Sequence, residues 1–297
     1  MTTTQLVTGA GQRCQVMGIV NVTPDSFSDG GRFLEVDAAV RRGLDLVCEG
    51  ADIIDVGGES TRPGAQRVSE REELARVIPV VAALARSGVP VSVDTMRAAV
   101  ARQAVEAGAV IVNDVSGGLA DPEMLPFLAE ADVTCVLMHW RAHSTRMDDY
   151  CFYDSVVDDV RTELRARVES ALEAGVRPER IVLDPGLGFA KTAAQSWELL
   201  AALPALRDLG FPLLVGASRK RFLAETAAYG RREPDVPADR DEASDAVAAI
   251  AAAEGAWGVR VHSVSGAAAA SRVAARLRGA TGATVAAEPV GVGAGRR

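Results

Sequence analysis

The segment "PVSVDTMRAAVARQAVEAGAVIVNDVSGG" (residues 90–118) holds two different periods side by side. "PVSVDT" (90–95) and "VIVNDVSG" (110–117) are short apolar runs that end in Asp or Asn. Between them, "RAAVARQAVEAG" (97–108) spaces Ala and Val as a helix does and closes on Gly108, a C-cap residue. Strand, helix and strand over so short a span predict a βαβ unit with parallel strands.

The same unit recurs outward in both directions. Further strand candidates are "QVMGIVNV" (15–22), "DIIDVGGE" (52–59), "TCVLMHW" (134–140), "IVLDPGLG" (181–188), "PLLVGAS" (212–218) and "GVRVHS" (258–263). Helical periodicity marks 37–50, 70–88, 155–175 and 196–210. Eight strands alternating with helices predict a single-domain α/β fold, the (β/α)8 TIM barrel. An open doubly wound sheet would usually carry a G-x-G-x-x-G turn after its first strand. "GIVNVTPDSFSDGG" (18–31) has none there. The expected boundaries are a short N-terminal extension (1–14), the barrel (15–278) and a disordered, Gly-rich tail (279–297). The segment 229–242 is expected to be a charged, proline-containing surface insertion.

Composition narrows the class. With 48% hydrophobic and 24% charged residues the chain is ordinary for a globular protein. A net charge of −8 argues against a general nucleic-acid partner. No long apolar run predicts a membrane span, and "MTTTQLVTGAGQRCQ" lacks the basic and apolar regions of a secretory signal. A cytoplasmic location is therefore expected. Cys14, Cys48, Cys135 and Cys151 are far apart, and the first three fall in or beside core elements, so packed free thiols are expected. Of 32 basic residues only Lys191 and Lys220 are lysines. A compact ammonium does different work from a planar guanidinium.

Barrel enzymes place their active sites at the C-terminal ends of the strands. Those ends read Asn21, Asp55, Asp94, Asn113, Met138-His139, Asp184, Ser218 and His262. Alternation puts Arg260 with His262, Ser92 with Asp94, Ile111 with Asn113 and Val182 with Asp184 on the interior face. Turn preference explains any one such Asp or Asn, but not the set together with an arginine in the middle of strand eight. A buried Arg260 requires an anion, which a ligand would supply. Arg62, Arg219, Lys220, Arg260 and His262 together predict a phosphate or other oxyanion, held near the loops after strands seven and eight. A helix expected to start at Ser218–Lys220 would add backbone donors. Asp94, Asn113 and Asp184 offer acceptors to a flat heterocycle rich in N–H groups; a metal site is the alternative use of the carboxylates. Asn21 can give one oxygen to a magnesium ion held mainly by diphosphate and water. His139 and His143 have an H-x-x-x-H spacing without a common helix, so structural or substrate-lining roles are expected. Trp140, Trp197 and Trp257 are expected to pack core or interface surface.

At this point a resemblance becomes specific. "GIVNVTPDSFSDGG" (18–31) and "GADIIDVGGESTRP" (50–63) resemble the two signature segments of the dihydropteroate synthases. "SVDT" (92–95), "NDVSGG" (113–118), "VLMHW" (136–140), "LDPGLGFAK" (183–191), "GASRKRF" (216–222) and "VRVH" (259–262) follow in the family's order. The resemblance spans about residues 15–275 and is nearest to the bacterial, actinobacterial form. It implies a homodimeric barrel that joins 6-hydroxymethyl-7,8-dihydropterin diphosphate to p-aminobenzoate, with magnesium, and that sulfonamides inhibit competitively. It implies pterin contacts from Asp94, Asn113, Met138, Asp184 and Lys220. Diphosphate contacts would come from Asn21, Thr61, Arg62, Arg260 and His262, with Asn21 also in the metal site. Phe27, Thr61, Pro63, Ser218 and Lys220 would line the p-aminobenzoate side. Lys220, Asp94 and either Asp25 or Asp29, with Asp29 favoured, would serve the chemistry. One departure is visible: where the family often has Asp after the strand-eight histidine, this chain has Ser263.

Two other classes share parts of the pattern. A corrinoid methyltransferase domain has a similar pterin pocket but no diphosphate to release, and the cations of strand eight argue against it. A noncatalytic paralogue would be expected to lose Lys220 or the loop within 18–31, and neither is lost.

Overall fold

The computed structural model describes residues 13–23, 31–60, 64–227 and 236–285. The eight strands are β1 (Gln15–Asn21), β2 (Ile53–Gly57), β3 (Val91–Asp94), β4 (Ile111–Asp114), β5 (Thr134–Met138), β6 (Ile181–Asp184), β7 (Leu214–Val215) and β8 (Gly258–Val261). All pair in parallel, in the order β6-β5-β4-β3-β2-β1-β8-β7. A parallel bridge between Leu183 and Leu213 and a 2.9 Å bond from Leu183 N to Pro212 O join the two ends. The sheet is thus a nearly closed barrel. β7 is the weak stave, shorter than the expected 212–218.

Helices α1 (Gly31–Glu49), α2 (Glu70–Arg86), α3 (Ala98–Glu106), α4 (Met124–Ala131), α5 (Val156–Glu173), α6 (Ala193–Ala201), α7 (Leu203–Arg207), α8 (Ala224–Ala227), α9 (Asp241–Ala253) and α10 (Val264–Val285) follow the strands. α2 shows why such segments are helical. Ser69 caps it by accepting the Glu72 N–H, a contact that stabilises a helix by about 1 kcal/mol. Glu70, Glu72 and Glu73 sit in its first turn and Arg86 in its last, matching the helix dipole. Val77, Val80, Val81 and Leu84 are buried against the barrel.

Several boundaries differ from expectation. α1 starts at Gly31, before the residue-37 start read from periodicity. α10 runs through Val285, past Gly279 where the tail was placed and past Gly282, since each glycine costs a helix only about 1 kcal/mol. Among the described residues after β7, Ser218–Lys220 do not start a helix; a 3-10 turn (Arg221–Leu223) and α8 follow them. The helix N-terminus that the sequence promised an anion is therefore not found at Ser218–Lys220. Cys14 and Cys135 are buried, and burial pushes both thiols up to about 12, whereas Cys48 is exposed on the outer face of α1.

Inside the barrel, Met17, Ile53, Ile111, Val136, Val182 and Leu214 form an apolar plug, with Trp257 packed against it. The larger apolar cluster lies between strands and helices. The plug fills the N-terminal half of the barrel and leaves the C-terminal half to polar side chains.

Candidate active site

A buried polar layer sits at the strand ends. Arg260 reaches across from β8 and donates from Nε to Asp55 Oδ2 and from NH2 to Asp94 Oδ2, each at 2.6 Å. Asn113 Nδ2 donates to Asp55 Oδ2 at 3.1 Å. The anions that compensate Arg260 are thus two carboxylates of the chain itself, where the sequence suggested a ligand. They hold its charge firmly and raise its pKa, against the cost of burial. Burial raises Asp94 to about 7, with Arg260 opposing and Asp55 reinforcing the shift.

Above this layer opens a cavity of about 780 Å³. Asn21, Asn113, Met138, Asp184, Ser218, Lys220, Arg260 and His262 all line it. Eight sequence-predicted residues therefore converge on one space, and Asp94 braces Arg260 from behind. Asp184 Oδ1 accepts the Gly186 N–H at 2.7 Å. Burial raises its pKa while Lys220 counters that shift. Burial likewise lowers Lys220 to about 8, with Asp184 supporting its charge. Met138 packs with Met96 and Val115, and Phe189 and Trp140 lie against them, giving the cavity an apolar wall.

His262 is oriented by Ser218. The hydroxyl oxygen accepts the His262 N–H at 3.1 Å, and lies 3.1 Å from Nδ1. A hydroxyl accepting from the backbone can donate its own proton to Nδ1, which leaves the proton of a neutral ring on Nε2. Ser218, expected on the p-aminobenzoate side, thus also orients the histidine.

Arg219 is not a free cation of the mouth. Asp241 takes it in a bidentate pair at 2.6 and 2.7 Å. Its φ of 60° is left-handed, held in place by the bond from its N–H to Ser244. His139 is buried and serves structure, bonding Glu163 and Lys191. His143 stacks edge-on to Trp140. Trp197 packs on Phe222. Asp25, Phe27, Asp29, Thr61, Arg62 and Pro63 lie outside the described residues.

Asp55, Phe189 and Lys191 were missing from the sequence-derived site. Asp55 had a signal, since it ends a strand. Lys191 had one too, as half of the chain's lysine.

Residues 17–262 match the family described as pterin binding enzyme. A dihydropteroate synthase of Mycobacterium leprae is 56% identical over 251 residues, covering 84% of this chain and 88% of that one. The Xanthomonas albilineans dihydropteroate synthase in complex with 7,8-dihydropteroate superposes with a TM-score of 0.77 at 41% identity, covering 94% of this chain and 97% of that one. The Yersinia pestis dihydropteroate synthase with a sulfonamide drug does so with a TM-score of 0.83 at 40% identity, covering 92% and 98%.

Proposed function

The chain belongs to the dihydropteroate synthase family of pterin-binding enzymes, and as such is a transferase; from this we propose how its own residues perform the reaction. It condenses 6-hydroxymethyl-7,8-dihydropterin diphosphate with p-aminobenzoate and releases diphosphate. The observation that carries this reading is one cavity with acceptors on one part of its lining and anion-binding groups on another: Asn113 and Asp184 against the cations Lys220 and Arg260 and the His262 ring.

The pterin ring presents N–H groups to Asp184 and Asn113 and lies along Met138. Its diphosphate points to His262 Nε2 and the Arg260 side. Asn21, a hard oxygen donor on the same cavity wall, would hold the magnesium. When bound, that ion neutralises charge on the diphosphate. The C–O bond to the pterin methylene breaks first, its electron pair leaving with diphosphate. The resulting cation is delocalised into the ring, the aniline nitrogen attacks it, and the nitrogen's proton is lost to solvent or diphosphate. Closure over the cavity by the loops within the two signature segments, 18–31 and 50–63, would exclude water during that interval, with Phe27 and Pro63 against p-aminobenzoate and Asp29 or Asp25 facing the cation.

This dissociative order has a direct test. With an oxygen-18 label in the bridging position of the pterin diphosphate and no p-aminobenzoate, the label should scramble into non-bridging positions. Recovery of unscrambled substrate after many turnover times would rule the order out.

Ser218→Ala should raise KM for the pterin diphosphate about fivefold to tenfold, the scale of one neutral hydrogen bond. KM for p-aminobenzoate should change less if Ser218 acts mainly through His262. The reverse pattern would assign Ser218 to the p-aminobenzoate side alone.

We place the protein in the cytoplasm as a homodimer. No helix among the described residues is long and apolar enough to cross a membrane. α9 and α10 pack together and leave Ile250, Val273 and Leu277 exposed, an apolar face suited to a second copy.

A further inference from the structure

Both lysines of the chain grip the same turn, residues 186–190 between β6 and α6. Lys220 Nζ donates to the Leu187 carbonyl and lies 4.5 Å from the centroid of the Phe189 ring. Lys191 Nζ donates to the carbonyls of Gly186 at 3.1 Å and Phe189 at 3.0 Å, and meets His139 Nδ1 at 2.9 Å. The Tyr153 hydroxyl takes the Ala190 carbonyl at 3.0 Å. Side chains thus hold four of the turn's carbonyls.

The turn needs holding. Gly186, Gly188 and Ala190 are left-handed, with φ of 67°, 72° and 49°. For Ala190, which carries a Cβ, that conformation is unfavourable and persists only under external constraint. A Cβ at Gly186 would stand 2.5 Å from the His139 carbonyl oxygen, so the turn rests directly on the end of β5.

Behind Lys191 the protons have a fixed direction. Arg141 pairs with Glu163 through both oxygens. Burial works against the Glu163 charge, but hydrogen bonds from His139 and Arg141 prevail and bring its pKa down to about 2. Burial, together with Lys191, lowers His139 to about 4, so its ring is neutral. The Glu163 carboxylate 3.0 Å from Nε2 accepts that nitrogen's proton as a hydrogen bond. Nδ1 must then carry the lone pair and accept from Lys191. Burial, with Lys220 adding to it, pulls the Lys191 pKa down to about 7, while three acceptors for its three N–H groups favour the ammonium and leave it no donor for a substrate. Arg141 also stacks on Tyr153, 3.8 Å from the ring centroid, which closes the circuit back to Ala190.

We propose that Lys191 is a positioning residue for the pterin. Held by His139 and Glu163, it fixes the turn that sets Asp184, the Leu187 carbonyl partner of Lys220 and the Phe189 ring. The proposal rests on the pterin reading of the cavity.

The test combines calorimetric Kd for the pterin diphosphate with steady-state kinetics, on wild type, Lys191→Met, Glu163→Gln and the double variant. Lys191→Met should raise both Kd and KM for the pterin diphosphate by about tenfold or more, the scale of misplacing a positioned group. KM for p-aminobenzoate should stay within about twofold. Glu163→Gln should raise the same two constants less, and the double variant should be no worse than Lys191→Met, because one chain is broken twice. A purely structural role would lower the active fraction, hence apparent kcat, and leave Kd and KM unmoved; that result overturns the proposal, as do fully additive effects. Glu163 is 38% exposed at its side chain, so Glu163→Gln carries the test if Lys191→Met fails to fold. A wild type that binds pterin diphosphate without turnover removes the synthase reading but leaves the Kd comparison decisive. A wild type that does not bind it overturns both.

Discussion

Arg260→Met should destabilise the protein by about 3–5 kcal/mol, the cost of breaking a buried ion pair from one side. The guanidinium is the shared partner of Asp55 and Asp94, at 2.6 Å to each. Methionine fills much of the same volume but leaves two buried carboxylates facing one another. Protonation of Asp94 relieves that repulsion. This makes the loss depend on pH in a definite sense. Asp94 has a folded-state pKa raised by burial to about 7 even with Arg260 opposing, and the substitution raises it further. A carboxyl whose folded pKa exceeds its unfolded one binds more protons in the native state between the two values. Stability therefore falls as pH rises through that window. The deficit of Arg260→Met should be smaller at pH 5 than at pH 8 in urea denaturation. An equal deficit at both would mean that the two carboxylates do not share the charge problem. What variant survives should also bind the pterin diphosphate poorly, since its cation is gone from the cavity wall.

Lys220→Ala should leave folding largely intact and cut kcat/KM for the pterin diphosphate about 100-fold, or about 2.7 kcal/mol of transition-state stabilisation. Three losses coincide. Asp184 loses the cation that opposes its protonation, the Leu187 carbonyl loses its donor, and the Phe189 ring loses the cation over its face. Lys220→Arg should not restore activity. A planar guanidinium cannot replace a compact ammonium between a carbonyl and a ring in the same space. In the wild type, burial has already lowered the Lys220 pKa to about 8. Pterin affinity should accordingly weaken as pH rises through about 8 and Lys220 loses its proton. Wild-type kinetics in Lys220→Ala would remove this residue from the site.

The barrel could be read from sequence because its signals are local. Apolar runs of strand length, glycines closing helices and polar residues at the same end of each strand need no partner to be recognised. The cavity residues on β1, β4, β5, β6 and β8 were found by that route. What escaped depends on contacts between distant positions. Asp55 was noticed as a strand end, but its bond to Arg260 joins residues 205 positions apart. Lys191 stood out by rarity, yet its partner His139 is 52 positions away. Arg219 looked like one more mouth cation until Asp241 proved to hold it. The start of α1 was missed, although Phe33, Val36 and Val40 are spaced as in a helix, because Gly30-Gly31 before them reads as a turn. Ser218 gave no sign in the sequence of the contact it makes with the His262 ring, 44 positions away.

The most direct measurement is product stoichiometry. Purified protein is incubated with 6-hydroxymethyl-7,8-dihydropterin diphosphate, p-aminobenzoate and magnesium, and diphosphate and 7,8-dihydropteroate are quantified together. One dihydropteroate formed per diphosphate released, suppressed by a sulfonamide in competition with p-aminobenzoate, is the predicted result. Diphosphate no faster than in the protein-free blank, or released without dihydropteroate, would contradict the account.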